Sequence, residues 1–411
     1  MLLASAGGPN LMRIAVFHDL PSGGAKRTLH ELVKRLRLRH AIELYALTTA
    51  DESFCDLRPL VAAHRQIAYA PSRLFNAPFG RLNQIQRWRD LGRLSVLGRA
   101  LATRIDAEGY DIVWAEPSRW TQAPPLLSYL ATPSVYHFHE PPRVLYEPLL
   151  NERAARSRRR VLDYFDPLPR LFRARARRLD WLATRAARRV VVNSRFTGDE
   201  LRRIYGVESD LAYRGVDVER FRPGAEARRR EVLSVGAIQP SKGFDFLLHA
   251  LAELPASVRP PLRIVGNSEV DDEAGFLAGL AARLGVELHI EVGLDDAELA
   301  RRYAEAALLV YAPHREPLGL APLEAMACAT PVVAVAEGGV PETVVDGVTG
   351  RLVPRDARAF AAVVGELLAD ASARQRMGRA AREHVCRAFS WDVAVARVER
   401  EFLDLVRSPA R

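Results

Sequence analysis

The chain has 411 residues, 48% of them hydrophobic, with a formal net charge of +9 and a pI near 9.8. That length favours two domains of about 200 residues each, and no run approaches the ~18 uninterrupted apolar residues of a membrane span. Cys55, Cys328 and Cys386 are scattered and odd in number, which argues against a disulfide scaffold or a cysteine-based metal centre and suits a reducing cytosol.

The basic balance favours acidic partners: nucleotides, anionic membrane surfaces or nucleic acid. The N-terminal segment lacks the basic region and long apolar run of a signal peptide, so residues 1–11 read as a lead before the first strand. Arg13 to Asp19 is a buried strand. The turn that follows is Gly-rich, and Gly23 and Gly24 would let a backbone come close to a ligand. It is neither a dinucleotide fingerprint nor a Walker loop. Ala41 to Thr48 is a second strand and Gln66 to Ala70 a short third. Residues 73–105 carry Leu82, Ile85, Trp88, Leu91 and Leu94 at helical spacing among arginines. That fits a helix packed on the sheet with a basic face turned to water or to an anionic membrane.

Tyr110 to Glu116 and Ser134 to His139 are further strands. Alternation puts His137 and His139 on one face, as a proton-handling pair or part of a metal site. With no cysteine or third histidine beside them, no metal is expected. Glu152 to Arg189 is the most basic stretch, with aromatics interleaved. It reads as a solvated helix face or a contact with membrane or lipid phosphate. Nucleic acid is not expected, because no nucleic-acid motif accompanies it. Arg189 to Ser194 is a strand, and a helix opens at Phe196.

Glu231 to Ile238 starts a second sheet, and the loop after it holds Lys242. Only Lys26, Lys34 and Lys242 are lysines among 59 basic residues. Lys26 and Lys242 both fall in Gly-bearing loops, which in an arginine-biased chain favours a specific point-charge role. Leu262 to Gly266, Glu287 to Gly293 and Leu308 to Pro313 continue the strands. A loop, a helix over Ala321 to Ala327 and a strand over Thr330 to Ala336 complete a parallel crossover. Glu316 lies in that loop, at the end where open α/β sheets bind ligands. Glu324 sits among apolar helix residues, where a carboxylate needs donors, and a sugar diol could supply two. The backbone of Pro317, Leu318, Gly319 and Leu320, at a helix start, attracts phosphate. Both glutamates could equally be solvated surface residues. Residues 357–384 form one or two helices, and a last helix runs to Val406.

Glu316 and Glu324, separated by seven residues that begin Pro317-Leu318-Gly319-Leu320, resemble the E-x7-E segment of the retaining family 4 glycosyltransferases. Gly338-Gly339-Val340-Pro341-Glu342 and Asp346-Gly347-Val348-Thr349-Gly350 extend the likeness, which runs more weakly from Met12 to Arg400. The resemblance implies an α/β chain of the GT-B type, two doubly wound Rossmann-like domains facing across a cleft. Residues 12–215 would form the acceptor-side domain and 216–389 the nucleotide-sugar domain, with a helix over 390–406 crossing back. It implies transfer of a hexosyl group from a UDP- or GDP-sugar to a saccharide or polyprenyl-linked acceptor, in cell-surface polysaccharide or glycolipid synthesis. The expected place is the cytoplasm, at the inner face of the membrane. Glu316 would hold donor-sugar hydroxyls, Glu324 the ribose and Lys242 the diphosphate, helped by the amides of residues 317–320. Gly23 and Gly24 would lie by the diphosphate, and His139 near the reacting carbon. No cofactor is expected. No Asp-x-Asp pair lies in a strand-end loop, so no obligatory metal is expected either. Ala237 stands where the family has an arginine. A catalytically weakened binding protein therefore stays open as an alternative, and another enzyme on the same fold, such as a nucleotide-sugar epimerase, is a second.

Overall fold

The computed structural model describes residues 11–76, 79–146, 167–224, 228–268 and 272–407. The chain divides into two compact units: Met1–Asn193, Thr197–Ala212 and Ala394–Arg411 in the first, Ser194–Phe196 and Tyr213–Val393 in the second.

The first unit runs β1 (Arg13–Asp19), α1 (Gly24–Leu36), β2 (Ala41–Leu47), β3 (Ala63–Ile67), α2 (Asn83–Ala107), β4 (Ile112–Ser118), β5 (Ser134–Phe138), α3 (Arg143–Tyr146), α4 (Pro167–Ala186), β6 (Arg189–Val192), α5 (Arg195–Tyr205, its first two residues assigned to the second unit) and β7 (Asp210–Leu211). The strands pair in parallel in the order β3-β2-β1-β4-β5-β6-β7. Helices on both faces explain why β1, β4 and β5 are nearly continuous apolar runs. β3 starts earlier than its sequence suggests. It is an edge strand whose Arg65 pairs with Glu43 and Glu108, a polar ladder that hides the alternation. β4 starts later than expected, because the Asp111 carboxylate takes the Arg13 N–H at 2.7 Å.

α2 buries Leu91, Leu94, Leu101 and Ile105. Gly98 lies against the chain at Pro125–Leu126, where an added Cβ would meet the Leu126 nitrogen at 2.9 Å. Of the basic stretch, residues 152–166 fall outside the described residues, and α4 forms most of the rest. α4 is anchored by Asp180, which accepts from the Tyr205 hydroxyl (2.6 Å), the Tyr146 hydroxyl (3.1 Å) and the Ala123 amide (3.1 Å).

The second unit runs β8 (Val232–Val235), a 3-10 turn (Pro240–Lys242), α6 (Phe244–Ala252), β9 (Leu262–Gly266), α7 (Glu273–Leu284), β10 (Leu288–Val292), α8 (Asp296–Glu305), β11 (Leu308–Tyr311), α9 (Leu320–Ala327), β12 (Val332–Val335), α10 (Val340–Thr343), β13 (Gly350–Val353), α11 (Ala357–Ala369) and α12 (Ala371–Ala388). The sheet is parallel, in the order β10-β9-β8-β11-β12-β13. Residues 357–388 are two helices, because Asp370 caps the second by accepting from the Ala373 amide at 2.8 Å. α13 (Trp391–Arg407) ends the described chain. From Ala394 onward it packs in the first unit, with Phe402 against Trp114 and Glu399 on His40 at 2.8 Å.

Candidate functional site

In the second unit the strand order reverses between β8 and β11, so their carboxyl-end loops diverge and leave a crevice of the kind that binds ligands in such sheets. The two loops are sewn together. The His314 amide donates to the Ser241 carbonyl at 2.9 Å. Gly243, at φ 66°, brings its Cα so near Ala312 that a Cβ would lie 2.1 Å from that carbonyl oxygen. This seam places the Lys242 ammonium 2.8 Å from the Glu316 carboxylate, with both side chains partly exposed. A third loop closes on the pair. The Gly339 amide donates to the Glu316 carbonyl at 2.8 Å, and a Cβ there would fall 2.0 Å from the Pro317 oxygen. The Gly338-Gly339 pair is thus a requirement of close backbone contact.

Arg355, which carries no signal in the sequence pattern, holds the Ala312 and Pro313 carbonyls at 3.0 and 2.9 Å and pairs with Glu337. α9 starts after Gly319 at φ 86°. The Leu318 side chain is buried in the core, so its amide, with those of Gly319 and Leu320, is what this segment offers an anion. Pro317 offers none. Glu324 accepts the Tyr303 hydroxyl at 2.7 Å. Chemically, the Lys242–Glu316 pair satisfies both charges within the chain. A sugar diphosphate offers each a partner of its own, phosphate for the ammonium and hydroxyls for the carboxylate.

In the first unit the order reverses between β1 and β4. His139 follows β5, and its Nε2 lies 2.7 Å from Glu116 Oε2; His137 Nδ1 lies 2.8 Å from Oε1 of the same carboxylate. All three side chains are buried. Burial alone would raise Glu116, but the two imidazoles outweigh it and hold the carboxyl down at about 2. Glu116 gives the histidine pair the third polar group that sequence spacing did not. Its only signal was a carboxylate at the end of an apolar strand.

The donor set of the three would suit a divalent cation. Their spacing is that of hydrogen bonds, however, whereas two ligands on a tetrahedral ion stand about 3.3 Å apart. An ion would have to open the cluster. Nearby, burial lifts Asp19 to about 6 against hydrogen bonds from Thr49 (2.6 Å) and Ser118 (3.4 Å).

Gly23, at φ 144°, stands at the start of α1, and Gly24 is the first helical residue. Lys26 does not serve this loop. It shares the inward face of α1 with Leu29 and Val33, and its fully buried ammonium lies 3.3 Å from both His18 and Glu52. The expectation of a phosphate-facing Lys26 is corrected by that helical register.

Sucrose-phosphate synthase from Thermosynechococcus elongatus matches this structure with a TM-score of 0.74 at 22% identity, over 97% of this chain and 100% of that one. Anabaena HepE in complex with UDP and glucose matches with a TM-score of 0.70 at 22% identity, over 96% and 100%. The fold is therefore the GT-B arrangement of two Rossmann-like parallel-sheet domains. The model for Glycosyltransferase Family 4 matches residues 22–220, and that for Glycosyl transferases group 1 matches residues 216–384. A D-inositol 3-phosphate glycosyltransferase of Streptomyces bingchenggensis is 37% identical over 251 residues, 55% of each chain. Its namesake in Saccharomonospora viridis is 38% identical over 234 residues, 50% of this chain and 53% of its own. The chain spans about half the length of these curated relatives. It belongs to the family 4 glycosyltransferases.

Proposed function

We propose that this chain is a retaining glycosyltransferase that moves a hexosyl group from a UDP- or GDP-sugar to a saccharide or lipid-linked acceptor hydroxyl. The observation that carries this reading is the Lys242–Glu316 pair, 2.8 Å apart where the second sheet reverses its order. Relatives named as D-inositol 3-phosphate glycosyltransferases, and a fold neighbour solved with UDP and glucose, support it. The reaction must stabilise charge on the departing diphosphate while the acceptor attacks the same face of the sugar. Lys242 and the amides of Leu318, Gly319 and Leu320 take that charge, pre-aimed and without reorganisation. Glu316 holds sugar hydroxyls and Glu324 the ribose. Within the first unit, Glu116 fixes His139 and the Gly23-Gly24 turn opens α1. The mechanism needs no organic cofactor and no obligatory metal.

The test is a thermal-shift screen of UDP- and GDP-hexoses, since a donor that binds the native state raises Tm by mass action. Product analysis with and without an acceptor follows. Retention of the anomeric configuration, read by NMR, is expected. Lys242→Ala should lower kcat/KM by about 100-fold. Conversion of the donor sugar with no acceptor present would instead favour an epimerase, and equal donor turnover by wild type and Glu316→Ala would favour a weakened binding protein.

Among the described residues no helix is long and apolar enough to cross a membrane. α2 and α4 nevertheless expose Trp88, Val96, Leu171, Trp181 and Leu182 beside arginines, with the Arg175 guanidinium 4.0 Å over the Trp88 ring. This face suits peripheral binding to an anionic leaflet. Sedimentation with phosphatidylglycerol vesicles at low salt, lost in the Trp88→Ala/Trp181→Ala double variant, is the expected outcome. Equal recovery with phosphatidylcholine vesicles would refute it.

A further inference from the structure

Glu324 is the residue proposed to receive the ribose, and its hydrogen-bonding partner comes from a different helix. Tyr303, on α8, is fully buried. Its ring stands edge-on to Phe221 at 5.8 Å, and its carbonyl accepts the Thr330 hydroxyl at 2.6 Å. Ring and backbone are therefore both fixed. From that position the phenol donates to Glu324 Oε2 at 2.7 Å. Burial, and then the adjacent carboxylate, push the phenol well above its ordinary range, so it stays a donor at any working pH.

A vicinal diol can place both hydroxyls on one carboxylate only when the plane of that carboxylate is set in advance. Glutamate has three rotatable bonds, and the Tyr303 hydroxyl, held on a neighbouring helix, is a fixed donor that selects the terminal torsion. Resting on the nucleotide-sugar reading, we infer that Tyr303 is a positioning residue that fixes the Glu324 carboxylate and so makes the site selective for ribose over 2′-deoxyribose nucleotides. Without the phenol that fixed donor is lost, and the preference for two hydroxyls falls.

The experiment measures Kd by calorimetry for UDP, GDP and their 2′-deoxy counterparts, on wild type, Tyr303→Phe and Glu324→Ala. Wild type should bind the preferred ribonucleotide about tenfold more tightly than its deoxy form. Tyr303→Phe should keep the deoxy Kd and bring the ratio close to that of Glu324→Ala. A purely structural role would weaken both nucleotides equally and leave the ratio untouched. A wild-type ratio in Tyr303→Phe overturns the inference. If Tyr303→Phe lacks a cooperative melt, the ratio is read on Tyr303→Met instead, under the same criteria. A wild type that binds neither nucleotide overturns the donor reading itself, and this inference with it.

Discussion

At the scale of single residues, the two lysines that the sequence pattern assigns to Gly-bearing loops have opposite fates. Lys242 is partly exposed and meets Glu316 across two loops; Lys26 is interior, hydrogen-bonded to His18 and paired with Glu52. Composition could mark both as unusual, but helical register turns Lys26 inward and the seam between two loops sets Lys242. Lys26→Ala should therefore cost about 2 kcal/mol of stability, by leaving the half-buried Glu52 without its cation, and should leave nucleotide affinity unchanged. Urea unfolding and UDP titration of the same variant check both halves. The glycine pair makes the complementary case. Gly339→Ala forces a Cβ to within 2.0 Å of the Pro317 oxygen, so the loop bearing Glu316 must move. The expected result is a loss of ~2 kcal/mol in stability, with donor binding impaired beyond that. Differential scanning fluorimetry with and without UDP-sugar would show a smaller ligand-induced shift than in wild type.

At the scale of elements, strands were easier to find than their ends. β1, β5 and β11 are buried apolar runs, which local pattern reveals. The edge strand β3 was displaced because its stabilising contacts are the ion pairs of Arg65, which no periodicity reports. α4 shows the same limit. Its arginines read as a solvated or membrane-facing surface, while its anchor is one buried acid. Asp180→Ala leaves two tyrosine hydroxyls and the Ala123 amide without their acceptor. A loss of about 3 kcal/mol is expected, with faster hydrogen exchange confined to α4 and its neighbours. Leu171→Ser, on the exposed side of the same helix, should shift stability by less than ~0.5 kcal/mol.

Across the molecule, buried and half-buried carboxyls of two kinds set the response to pH. Glu31, Glu52 and Glu116 lie at about 2, below an ordinary value of 4.5; burial opposes this, but their histidine, lysine and arginine neighbours prevail. Their contribution is complete above the unfolded value and is lost as pH falls through the folded one. Asp19 and Asp180 are raised by burial from 3.8 to about 6, so theirs is complete below the unfolded value and is lost as pH rises through about 6. Tm should peak in mildly acidic buffer and fall by roughly 5 °C or more between about pH 5 and 3. Glu116→Gln should flatten that acid limb and Asp19→Asn the neutral one. A profile unchanged in both variants would refute the assignment.

Sequence alone determined the alternation of strand and helix, the two parallel sheets and the pair of glutamates with seven residues between them, because apolar period and Gly or Pro breaks act over a few neighbours. Only the folded chain decided that Lys242 meets Glu316 over 74 positions, that Glu116 bridges two histidines and that Tyr303 reaches Glu324. Such meetings depend on which side chains each layer turns toward the next. That is settled by packing between elements distant in the chain, and no local pattern encodes it.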